Sequence, residues 1–274
     1  MQNPSAEQFL RRISITMQML KKTARWLIPL LFWIAVWELA AWRIGNVLLF
    51  PNPRTVLGAL WELLQTEQFY KYTLRSFWNV FSGILIATLT GTALATLTHR
   101  ISFLRELTLP FMTVIKATPV ASFIVLMLIW IGSARVPSII TFLIVLPVVW
   151  TNLDEGLQKQ DKQLIQVTRI YGFSWTQKLR LLTLPTVKPY LISALRTSLG
   201  LAWKAGIAAE IIAMPRGTIG TMIGDARGSL ETEEMFAWTL TVILLSLLLE
   251  LGIVRLLNRW ERKRKVTKKE ETPC

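Results

Sequence analysis

Hydrophobic positions along the chain gather into six long runs, at residues 26–42, 76–97, 108–131, 136–152, about 189–213 and about 236–256. Each is close to the roughly 20 residues that a helix needs to cross a hydrocarbon core about 30 Å thick. The pattern predicts an all-α integral membrane protein with six transmembrane helices. The first run is bracketed by Trp26 and Trp42, as membrane interfaces favour, and no clear small-residue cleavage site follows it. It therefore reads as an uncleaved anchor. In the second run Gly83, Ala87, Gly91 and Ala95 recur every four residues, and in the fifth Ala194, Ser198, Ala202 and Gly206 do the same. Such strips let another helix approach closely. The third run contains Lys116 and Pro119, which predict a bend and a segment not wholly in lipid.

The polar intervals are unequal. Residues 1–25 place Phe9, Ile13, Met17 and Leu20 at helical spacing among Arg11, Arg12, Lys21 and Lys22, which fits either an amphipathic leader on the membrane surface or a flexible one. Residues 43–75 form a loop with its own helix, capped by Asn52 and begun by Pro53, with Val56, Leu60, Leu63 and Leu64 on one side. Residues 98–107 are short and charged, Gly132–Arg135 is a tight turn, and 214–235 is a glycine-rich, acidic loop. Residues 259–274 are a basic tail.

The longest polar interval is punctuated as two short helices meeting at a corner, over 161–185. Asp161 caps the first, with Leu164, Val167, Thr168 and Tyr171 on one side; Gly172 stops it, because glycine takes a positive φ without steric cost. Ser174 caps the second, and Gln177 three residues on completes a capping box. Leu179, Leu182 and Leu184 follow as an apolar side, and Pro185 marks a boundary.

Charge orients this arrangement. The net charge is +14, which raises nucleic acid as a partner until the cations are located. With the N-terminus inside, the inner segments hold 21 Lys and Arg: five in the leader, two in 98–107, six in 153–188 and eight in 255–269. The outer segments hold seven, and Lys116, Arg196 and Lys204 lie within runs. The bias predicts both termini and the corner in the cytoplasm, and spreads the cations along one membrane face rather than in a nucleic-acid stripe.

Catalytic patterns are missing. The sequence has no Gly-x4-Gly-Lys-Ser/Thr phosphate loop, so this chain is not expected to hydrolyse ATP, and it has no His-Glu-x2-His, Gly-x-Ser-x-Gly or Cys-x2-Cys. Cys274 is the single cysteine and His99 the single histidine, the latter reading as a solvated helix-end residue. No metal site is expected. Charges inside the runs carry what chemistry there is. Glu210 continues the second small-residue strip and must face a partner helix, a water-filled cavity or a cation such as Lys204; packing, capping and solute contact stay open. Lys116 and Lys204 would suit the crossing of an anion, or snorkelling and structural pairing.

The corner resembles the cytoplasmic loop of ABC importer membrane subunits, whose pattern is Glu-Ala-Ala, three residues, Gly, nine residues, Ile-x-Leu-Pro. Gly172 is followed by nine residues and Leu182-Thr183-Leu184-Pro185, so the spacing is kept, whereas Gln166-Val167-Thr168 departs from the first triplet and Leu182 replaces isoleucine. The likeness narrows to the nitrate/sulfonate/taurine group of binding-protein-dependent permeases. It runs through Phe50-Pro51-Asn52-Pro53, Gly172-Phe173-Ser174-Trp175, Leu195-Arg196, Ala202-Trp203, Ala208-Ala209-Glu210, Gly217-x2-Gly220 and Asp225-Ala226-Arg227.

The resemblance implies a type I ABC importer permease architecture, with a transmembrane domain over about 69–258 and a coupling helix in the corner. It implies two ATPase subunits holding ATP and Mg, no cofactor in this chain, and an extracytoplasmic solute-binding protein. It further implies a second permease copy, by default a homodimer, in the bacterial plasma membrane. Gln166, Val167, Thr168, Gly172, Phe173, Ser174, Leu182, Leu184 and Pro185 would couple to the ATPase. Lys116, Pro119, Trp203, Lys204 and Glu210 would lie along the path of a small solute, with an anion such as nitrate, a sulfonate or taurine favoured. The competing readings are a gradient-driven secondary transporter, which would show inverted repeats, and a membrane scaffold without transport.

Overall fold

The structure is a computed structural model that describes residues 27–270. Trp26 and the predicted leader lie outside the described residues, as does Cys274. Helix α1 is Leu27–Ile44. It is followed by α2 (Pro53–Leu64), α3 (Glu67–Arg100), α4 (Ser102–Ala117), α5 (Val120–Ile131) and α6 (Val136–Gln158). Then come α7 (Lys162–Ile170), α8 (Trp175–Lys178), α9 (Leu184–Ala213), α10 (Ile219–Gly228) and α11 (Thr232–Glu270).

Helix α6 is the centre of the molecule, packed between α3 and α9. The small-residue strips explain why. A Cβ on Gly83 would stand 2.5 Å from the Ser138 carbonyl oxygen, and one on Gly91 would stand 3.0 Å from Val149 Cγ1, so both positions of α3 touch α6 nearly backbone to surface. On α9, a Cβ on Gly206 would meet Val80 Cγ2 at 2.5 Å and Thr141 Oγ1 at 2.9 Å. Ala87, Ala95, Ala194, Ser198 and Ala202 complete the two strips and are all buried. The core then fills with Met112, Val145, Val149, Trp150 and Leu153. Trp150 donates its indole N–H to Thr98 Oγ1 at 3.1 Å, satisfying a polar group that this depth would otherwise strand.

Among the described residues four helices are long and apolar enough to cross a membrane: α1, α3, α6 with the 3-10 turn before it, and α11 as far as Gly252. Helices α4 and α5 make a fifth if taken as one broken span, bent by 103°. Pro119 causes the break: it has no N–H for the helix and confines Thr118 to extended backbone, at φ −75° and ψ 132°. The predicted bend in the third run is thus an elbow between two helices. Helix α9 is 30 residues long but carries Lys188, Arg196, Lys204 and Glu210, so its apolarity falls short of the other spans.

Three intervals differ from expectation. The short charged segment 98–107 is helical except at Ile101, where α3 ends and α4 begins. The interval 214–235 contains α10, capped by Thr218. The basic tail continues α11 as far as Glu270. Around 43–75 the expected helix is present: Asn52 Oδ1 accepts from Thr55 N at 2.9 Å, and Leu60, Leu63 and Leu64 pack near Phe69, Ile219 and Trp238.

Candidate functional site

The corner is built by its own caps. Asp161 Oδ1 accepts from Gln163 N at 2.8 Å and starts α7. At the other end Phe173 N donates to the Thr168 carbonyl at 2.9 Å, and Gly172 N donates to the Arg169 carbonyl at 3.2 Å. This pair of bonds is the Schellman closure, and it requires the residue just past the helix to be left-handed. Gly172 supplies φ +61°, and no heavy atom lies within 4 Å of where its Cβ would be. The glycine is therefore needed for its backbone and not for space. Ser174 and Gln177 form the capping box as read: Gln177 N donates to Ser174 Oγ at 3.3 Å, and Ser174 N to Gln177 Oε1 at 2.8 Å.

Past the box the structure corrects the sequence reading. Helix α8 has only four residues and passes through a π-helical turn, Leu179–Thr183, straight into α9. Pro185 is not the end of the corner; it sits in the first turn of α9. Its ring excludes a normal bond to the carbonyl four residues earlier, and the ladder shifts by one residue, so that Leu184 N donates to the Leu179 carbonyl. Leu182 is buried on the bundle side and Leu184 is exposed.

The outward side of the corner is apolar and uncovered. Ile170 is 79% exposed and Tyr171 74%, and Val167, Phe173 and Trp175 are exposed beside them. Gln166 and Ser174 are also exposed, whereas Thr168 is buried and donates its hydroxyl to the Ile165 carbonyl. A rigid, capped unit thus presents large apolar side chains to whatever lies beyond the bundle, as interaction surfaces do.

The elbow between α4 and α5 encloses a second feature, a cavity of about 200 Å³. Ile115, Lys116, Thr118, Phe123, Pro147 and Leu201 are among its walls. Lys116 is the cation there, and its Nζ donates to Thr151 Oγ1 at 2.7 Å. Of the five residues predicted along a path, Lys116 lines this cavity and Pro119 makes the elbow. The other three lie elsewhere. Trp203 is buried against α11, its indole N–H donating to the Val242 carbonyl at 3.1 Å. Lys204 is exposed.

Glu210 is fully buried at a junction of three helices. Its carboxyl accepts from Ser76 Oγ at 2.6 Å, from Asn79 Nδ2 at 3.0 Å and from Gly220 N at 3.2 Å. Ser76 Oγ in turn accepts from Ile219 N at 2.9 Å. Glu210 on α9 and Ser76 on α3 together satisfy the first free N–H groups of α10, where the helix dipole favours a negative group. The sequence reading named Glu210 but neither Ser76 nor Asn79. Their signal was available, as two polar residues three apart at the start of an apolar run share one helix face. On the opposite flank of the core Arg105 Nη2 reaches Asp154 Oδ2 at 3.0 Å, joining α4 to α6. Among the described residues, no group of three or more His, Cys, Asp or Glu is placed to hold a metal ion.

These features define a class first: a multi-pass helical membrane permease with a capped, apolar corner exposed between two of its long helices. The chain belongs to the binding-protein-dependent transport system inner membrane component family, whose model matches residues 83–265. It is a translocating subunit of an ABC importer. It is 28% identical over 231 residues to the putative aliphatic sulfonates transport permease protein SsuC of Bacillus subtilis, covering 82% of both chains. It is 28% identical over 237 residues to the riboflavin transport system permease protein RibX of Chloroflexus aurantiacus, covering 81% of this chain and 87% of the relative. It is 26% identical over 230 residues to the taurine transport system permease protein TauC of Escherichia coli, covering 81% and 83%.

Proposed function

We propose that the chain crosses the membrane six times, through α1, α3, the broken pair α4–α5, α6, α9 and α11, with both termini and the corner in the cytoplasm of a bacterial cell. Helix α9 would span about 45 Å at 1.5 Å per residue, ample for a bilayer. The excess of Lys and Arg on one set of intervals supports this orientation. Two copies of the chain form the path, an extracytoplasmic binding protein delivers the solute, and two ATPase subunits carry ATP and Mg.

The corner is the coupling element. The observation that carries this reading is the exposed apolar surface of Ile170, Tyr171 and Phe173 on a backbone fixed by the Gly172 closure. Gln166 stands where the family pattern has glutamate, so shape and apolar contact replace a charge contact. Lys116 and the elbow at Pro119 serve the path, and Glu210 holds α9, α3 and α10 together. The relatives are named for sulfonates, taurine and riboflavin, and one in Synechococcus elongatus for nitrate. With a single lysine in an otherwise mainly apolar cavity, a small organic anion is the solute that fits best.

A photo-crosslinking residue at Ile170 tests the reading. It should form a covalent adduct with the ATPase subunit in membranes, while the same residue at Trp61 on α2 should not. An adduct from Trp61 alone would reverse the orientation.

A further inference from the structure

Between the corner and the helical bundle lies a cavity of about 300 Å³, with Trp175 of the corner's apolar surface on its wall. It is bounded by the last turn of α3, the end of α6 and the α8 segment with its π turn. Thr96, His99, Arg100, Gln160, Trp175 and Lys178 are among its walls, and among the described residues no carboxylate lines it. Arg100 lies over the Trp175 ring, 5.9 Å from the centroid. That cation–π contact does not of itself use up the guanidinium N–H donors. Among the described residues neither Arg100 nor Lys178 forms an ion pair.

Arg100 is exposed and Lys178 half-buried, so solvent tolerates the two charges while both would attract an entering anion. The cavity also sits where the apolar length of α3 ends, which on the topology proposed above is the level of lipid headgroups. Its donors are a planar fork, an ammonium and an amide, a set suited to a tetrahedral oxyanion. Basic pockets between helices at such a level bind phosphate-bearing headgroups.

We propose that this cavity binds a phosphate group, held by Arg100 and Lys178 with Gln160 as a neutral donor. Because Arg100 belongs to α3 and Lys178 to the corner, the bound phosphate ties the corner to the helical bundle. The phosphate is that of an anionic phospholipid in the adjacent leaflet or of a soluble phosphate compound. The two sources share the same recognition and differ only in what the rest of the ligand touches.

The test uses the full-length protein in nanodiscs of phosphatidylcholine with and without phosphatidylglycerol, read by native mass spectrometry, and inorganic phosphate added to the detergent-solubilised protein, read by phosphorus NMR line broadening. Wild type should retain phosphatidylglycerol, broaden the phosphate line, or do both; the first identifies a lipid source and the second a soluble one. Either signal should fall roughly tenfold in the Arg100→Gln/Lys178→Gln double variant. It should be unchanged in Arg54→Gln, which removes a cation from α2. Should the double variant fail to fold, Lys178→Gln alone leaves the Arg100–Trp175 contact in place and should still weaken binding severalfold. Retention and line width equal in wild type and a folded variant would overturn the proposal, as would the absence of both signals in wild type.

Discussion

Two glycines, Gly220 and Gly172, show how differently the two ends of this molecule are built. Gly220 is packed against the end of α9, where a Cβ would lie 2.6 Å from Ile211 N and collide with Glu210. It is there because three helices meet too closely for a side chain. Gly172 has open space around it and is there because its φ is +61°. One end of the permease is locked by contact, with a buried carboxyl accepting from two neighbouring helices. The other holds its shape by backbone conformation and leaves its side chains free. A region that must stay assembled through a transport cycle is served by the first design. In the coupling role proposed for the corner, a region that must be stiff yet gripped by a separate subunit is served by the second.

The comparison breaks most readily at Glu210. Glu210→Ala leaves the Ser76 hydroxyl, the Asn79 amide and the Gly220 N–H without their acceptor, each costing about 1–3 kcal/mol when buried. It should therefore lower the melting temperature in detergent and the amount of protein in the membrane. Glu210→Gln should be much milder. The Asn79 amide can turn over to accept from the new amide, while the remaining oxygen still takes the Ser76 and Gly220 donors. Equal melting of Ala and Gln variants would remove the carboxyl from its assigned role.

Next in size is the strip between α3 and α6. Gly83→Val would push a branched side chain into the Ser138 carbonyl and Thr141, and overpacking of this kind costs about 1–3 kcal/mol. Thermal unfolding should show it, and an unchanged midpoint would mean that the helices can separate there freely. At the small end is Gly58 on α2, exposed and with nothing within 4 Å of its Cβ position. Gly58→Ala should raise stability by up to about 1 kcal/mol, since an ordinary helical residue replaces a flexible one. A loss on the same assay would mean that another surface approaches α2.

The sequence made the corner legible because its signals are local: Asp161, Gly172, Ser174 and Gln177 each act within a few residues. The strips on α3 and α9 were legible for a similar reason, as a four-residue repeat of small side chains has few uses outside close helix packing. What was hidden depends on distant partners or on departures from regular ladders. Helix α10 looked like a loop because Gly220 and Gly224 lower its helix propensity, and both are there for contact with the end of α9. The π turn could not be read because Pro185 fits equally well as a stop and as a first-turn residue. Glu210 was recognised as costly to bury, yet its partners Ser76 and Asn79 lie more than 130 positions away.

The central claim is that the corner works through its backbone shape, and a graded series at Gly172 tests it most directly. A left-handed conformation costs an ordinary L-residue about 1–2 kcal/mol, less for asparagine and more for a β-branched residue. In reconstituted complexes with the ATPase and binding protein, solute uptake and ATPase stimulation should fall together in the order Gly, Asn, Ala, Val. The amount of permease in the membrane should stay level across the series. A Gly172→Val complex that transports and stimulates as well as wild type would contradict the account.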